Sequence, residues 1–73
     1  MYIICPDKII NSKYVAVVST VETDDPYVSF INSKGEGFET IECSDINEAK
    51  VVYKNIENAV MWGLNYVVVN TSE

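Results

Sequence analysis

Apolar and polar positions fall in short alternating blocks over the first forty-odd residues and then settle into one long rhythm of threes and fours. Residues 2–5 are apolar and stop at Pro6, whose ring withholds an amide donor and favours an extended residue before it, so a first short strand is predicted there. Asp7 and Lys8 form a turn, Ile9 and Ile10 return to apolar character, and Asn11-Ser12 is a second turn signal. The segment 13–22 follows as the main strand. Its period of two puts Val15, Val17 and Val21 on one face and Tyr14, Ala16 and Val18 on the other, so its first half is expected to be buried on both sides. A turn at 23–26, a β-branched and aromatic run at 27–31, a break at 32–37 and a further run at 38–43 complete a meander.

The helix signal is the strongest in the chain. Asp45 is placed to cap it, with Glu48 three residues on to reach back. Ile46, Ala49, Val52, Tyr53, Ile56, Ala59 and Val60 then form an apolar stripe over a predicted helix at 45–62. Gly63 ends it at the C′ position, which directs Leu64 back onto Ala59 as in a Schellman motif, and 66–69 reads as a last strand. Residues 71–73 read as a fraying end. The expected architecture is α+β: one domain over 1–73 and a small, mainly antiparallel sheet of four to five strands. One helix packs on one face, in the order β-β-β-β-α-β, with the last strand beside the first.

Composition removes several function classes. The 73 residues carry five lysines, no histidine and 11 acids, for a net charge of −6. Nucleic-acid affinity comes largely from cations displacing counterions from phosphates, and the lysines at 8, 13, 34, 50 and 54 are scattered along the chain. No arginine is present to make a bidentate fork. Direct nucleic-acid binding is therefore not expected. Without histidine, Ser-His-Asp and Cys-His catalysis are not available within one chain, and a non-enzymatic protein is predicted. Zinc would have to rest on Cys5, Cys43 and carboxylates with no Cys-x-x-Cys pair, so neither metal nor cofactor is expected. No apolar run approaches the roughly 20 residues that span a bilayer. The two cysteines read as reduced, buried small hydrophobes in a cytoplasmic protein.

Three sites need weighing. Ser33-Lys34-Gly35-Glu36-Gly37 has glycines and a lysine, but it joins two strands instead of opening a helix and puts a carboxylate where an anion would sit, so it reads as a hairpin loop. The acids Glu22, Asp24, Asp25, Glu36, Glu39 and Glu42 show no calcium-loop spacing and read as solvated edge charges. On the helix, Val51 and Trp62 fall about 20° apart on the face opposite the core stripe. Asn55 and Asn58 lie between them and Met61 lies at the flank. Trp62 is a natural interface anchor, and the two short amides are cheaply desolvated against a partner that offers hydrogen bonds. The plainer reading has Trp62 folding over Leu64 or a loop at the helix end.

The use of lysine to the exclusion of arginine, with many Ile, Asn and Glu, is similar in style to small phage or mobile-element proteins of Gram-positive bacteria. That resemblance covers no motif and carries no residue across. It implies a protein that binds and blocks a host factor, as anti-CRISPR proteins do. The leading expectation is thus an acidic inhibitor-type protein that docks on a protein partner. It is also expected to be a homodimer, because one helix covers only one face of a sheet with a two-faced apolar strand. Curling into a half-barrel is the monomeric alternative. Two other functions fit: a protein that sequesters a small nucleotide between subunits, with Tyr14, Tyr27, Tyr53 or Trp62 stacking the base, or a homo-oligomer with no further ligand.

Overall fold

A computed structural model describes residues 1–71. The chain runs β1 (Tyr2–Ile4), β2 (Ile9–Asn11), a 3-10 turn (Ser12–Tyr14), β3 (Val17–Val21), β4 (Tyr27–Ile31), β5 (Gly37–Glu42), α1 (Ile46–Met61) and β6 (Tyr66–Val68). The α+β class is as expected, but the strands form two sheets of three, ordered β2-β1-β6 and β3-β4-β5, not one sheet of four to five.

The division has a local cause. Asn11 lays its side chain over the Lys13 amide at 3.0 Å, and the Val15 amide donates to the Ser12 carbonyl at 3.0 Å. These bonds wind residues 12–14 into a 3-10 turn, so the predicted strand over 13–22 begins only at Val17. The chain leaves the first sheet before that turn and enters the second after it. Ile9–Asn11, read in the sequence as an apolar return between turns, is instead a strand paired antiparallel to β1. On the other side of β1 lies β6, parallel, with Tyr2 against Tyr66 and Ile4 against Val68, so the last strand does sit beside the first. In the second sheet the β4–β5 ladder skips Phe38, since Ile31 pairs with Gly37 and Phe30 with Glu39.

The helix follows its local signals. Asp45 Oδ1 accepts the Glu48 amide at 2.8 Å, while Glu48 Oε1 accepts the amide of Ser44 at 3.0 Å, one residue earlier than a standard capping box. At the other end the Leu64 amide donates to Ala59 and the Gly63 amide to Val60, with Gly63 at φ 65°. That is the full Schellman pair. Ala49, Val52, Ile56 and Ala59 are buried, and Ile46 packs at the margin of the core. Val60, counted in the apolar stripe, is 63% exposed, and Tyr53 is half-buried.

The helix lies against β3, β4 and β6, so it touches both sheets. One core results, in which Ile3 and Ile10 from the first sheet meet Val28, Phe30 and Ile41 from the second over Val52 and Ile56. Cys5 and Cys43 are buried in the same core as thiols. Of the residues read as a fraying end, 72 and 73 lie outside the described residues.

Candidate binding surface

The five residues singled out on the helix are all exposed. Val51 is 58%, Met61 73% and Trp62 79% exposed, and Asn55 and Asn58 face solvent. Trp62 is the C-cap residue, and its amide donates to Asn58 at 2.9 Å. At that exposure its indole folds over neither Leu64 nor a loop. Val51 and Asn55 border a shallow groove with Asn70 near the start of the helix. Trp62 lies eleven residues on, about 16 Å along the axis at 1.5 Å per residue, so the stripe has two separate ends.

Around the later end the structure gathers apolar residues that the helical wheel left out. Val60 is 63%, Leu64 52% and Tyr66 59% exposed, flanking Met61 and Trp62 in the chain. Beside them an apolar cleft of about 480 Å³ runs between the helix and the start of β3, walled by Met1, Val15, Val18, Val60 and Leu64. A signal for this corner was present in the sequence. No charged side chain occurs from Asn58 to Thr71, in a chain that is 22% charged.

The remaining candidates come out differently. In the 32–37 loop, Asn32 Oδ1 accepts the amides of both Lys34 and Glu36 at 3.0 Å, and Gly35 takes φ 82°. The amides an anion would need are already spent inside the hairpin. Lys8 Nζ donates to Glu39 Oε1 at 2.9 Å and to the Thr40 carbonyl at 2.6 Å, so Glu39 is an ion-paired group tying the β1–β2 turn to β5. The lysine hydrogen bond holds the Glu39 carboxyl below its ordinary pKa. Burial works to lower the Lys8 pKa, but the bond and charge of Glu39 outweigh it and hold it above the ordinary value. Burial pushes the Cys5 thiol up, away from reactive thiolate. Among the described residues no three acids or cysteines come together as a metal site.

The largest concavity, about 880 Å³, is a wide dish over the outer face of β4 and β5 that includes Tyr27, Ser29, Thr40 and Glu42. Hydroxyls and carboxylates are what an antiparallel sheet shows to water, so size alone does not make this dish a site. A smaller groove of about 550 Å³ joins Lys13 and Tyr14 to Lys34 and Phe38, bringing together two of the lysines that look scattered in the sequence. Among the described residues no helix is long and apolar enough to cross a membrane. No family model, curated protein or solved structure matches the chain.

Proposed function

We propose that this chain is a non-enzymatic binding protein that docks on a protein partner and blocks it through the uncharged apolar corner at the end of α1, with Trp62 as the anchor. The observation that carries the reading is the Schellman stop. It leaves an indole 79% exposed beside Met61 at 73%, where a protein surface ordinarily carries polar groups. Val51, Asn55 and Asn58 extend the contact along the helix. The acids elsewhere steer approach toward a basic partner surface. Compositional likeness to small phage proteins supports a host factor as target, in a reducing cytoplasm where Cys5 and Cys43 stay thiols. Lack of histidine supports the non-enzymatic part.

Native mass spectrometry of the protein purified from its own host, wild type beside Trp62→Ala, tests this. A protein that co-purifies with wild type should be lost from Trp62→Ala, with affinity falling by roughly 2 kcal/mol or more once the pair is titrated. Equal retention by both would remove the anchor and the reading with it. A second reading rests on the Lys13-Tyr14-Lys34-Phe38 groove, where aromatic stacking and two cations suit a small nucleotide. A small molecule in the same spectra, lost on Tyr14→Ala and not on Trp62→Ala, would favour it.

A further inference from the structure

The outer face of the β2-β1-β6 sheet is a grid of two rows. Register places Asn11, Tyr2 and Tyr66 side by side in one row and Ile9, Ile4 and Val68 in the other. The opposite faces of these strands carry Ile3, Ile10 and Val67, which belong to the core or pack against it. Five of the six outward positions are therefore apolar. Tyr2 is 52%, Ile9 65%, Tyr66 59% and Val68 49% exposed.

The other sheet serves as an internal control. Its outward middle row is Ser19, Ser29 and Thr40, flanked by Val21, Tyr27 and Glu42 on one side and by Val17, Ile31 and Gly37 on the other. That sheet thus sets a hydroxyl row and a carboxylate among its outward apolar residues, whereas β2-β1-β6 offers Asn11 alone as a polar outward side chain, the pattern of a sheet covered on both sides.

We infer that a second copy of this chain covers the grid, sheet face against sheet face. Charge is the first argument for a copy over a different protein. A chain of net charge −6 repels itself, and self-contact requires a surface free of its own charges. The grid has none of the 16 charged residues, so two copies meet there without bringing like charges into contact. Area is the second. The five apolar side chains leave on the order of 450 Å² open per copy, at roughly 100 Å² for each half-exposed tyrosine. Two copies cover on the order of 900 Å² from the grid alone, so a rim on the order of 150 Å² per copy is all that the lower bound of roughly 1,200 Å² for a stable interface requires beyond it. The contact is isologous, the commonest arrangement for homodimers. It shares only Tyr66 with the helix-end surface, and Trp62 lies outside the grid, so either can fail without the other.

Sedimentation and light scattering on the full chain test the inference. Wild type should run at twice 8.2 kDa at micromolar concentration, and added salt should tighten the dimer by screening the acids. Ile9→Lys with Val68→Lys should return it to 8.2 kDa with the helical circular dichroism signal retained. Should that variant unfold, hydrogen exchange of the wild type across a dilution series decides instead. Amides at 2–4, 9–11 and 66–68 should gain protection with concentration. A monomer throughout the range, or protection gained at 46–61 in their place, would overturn the assignment.

Discussion

Ile56 and Trp62 stand six positions apart, one 3% exposed and the other 79%, and the apolar rhythm alone placed them on different faces. Their substitutions should separate in a thermal melt. Ile56→Ala deletes buried methylenes from the junction of both sheets and should cost about 2–5 kcal/mol, most of the stability of a domain this small. Trp62→Ala should leave the midpoint within about 0.5 kcal/mol, as surface changes do. Equal losses would place the indole in the core and end its role as an anchor. Val60 shows where the rhythm stops being informative. It has the right phase, yet at the last turn it borders the open cleft, whose far wall comes from the distant residues Met1, Val15 and Val18. Periodicity reports the direction of a side chain but not whether anything stands opposite.

Elements were legible where their bonds are local. Asp45 with Glu48 and Gly63 with Leu64 fix both ends of α1 through contacts within five residues, and the 27–31 and 38–43 runs emerged within a residue of β4 and β5. The sheet partition was not legible: Asn11-Ser12 signals a turn, but the bonds from Lys13 to Asn11 and from Val15 to Ser12 carry that turn on into the expected strand and delay β3 to Val17. Glycine substitutions test the loop ends directly. Gly63→Ala and Gly35→Ala meet nothing within 4 Å, so any cost is in the backbone alone. Positive φ at 65° and 82° should make that cost about 1–2 kcal/mol each, lowering the melting temperature by several degrees. Gly37→Ala is the control. Its φ is not positive and its new methyl would lie an ordinary 3.9 Å from Ser29 Oγ, so a loss equal to the other two would refute the backbone explanation.

At the scale of the molecule, an excess of apolar sheet surface could be read from the sequence, but of the three strands that bear it only the last could. The pattern points to 13–22 together with alternating residues of 27–31 and 66–69, and of these the structure places only 66–68 in the uncovered grid on β1, β2 and β6, whose pairing joins residues more than sixty positions apart. What ties the two sheets together outside the core is equally non-local: Lys8 on the β1–β2 turn reaches Glu39 and Thr40 on β5, 31 and 32 residues away. Both partners are about one-third exposed, so solvent screening limits the pair to about 0–1 kcal/mol, less in high salt. Its pH dependence has a definite sign at each end. Glu39 is depressed in the folded state, so its contribution is present above the ordinary carboxyl value of about 4.3 and is lost as pH falls through the folded value. Lys8 is raised, so its contribution is present below about 10.4 and is lost as pH climbs through the folded value. Urea melts of Glu39→Gln should therefore show a loss of up to about 1 kcal/mol at neutral pH that shrinks toward zero well below pH 4, and a flatter acid limb than wild type. Glu57→Gln, which breaks only the i,i+3 pair with Lys54 on the outside of α1, should leave the relation between the sheets unchanged. A difference curve for Glu39→Gln that is constant with pH would mean that the carboxylate contributes by shape and not by charge, and that the two sheets are held together by the shared core alone.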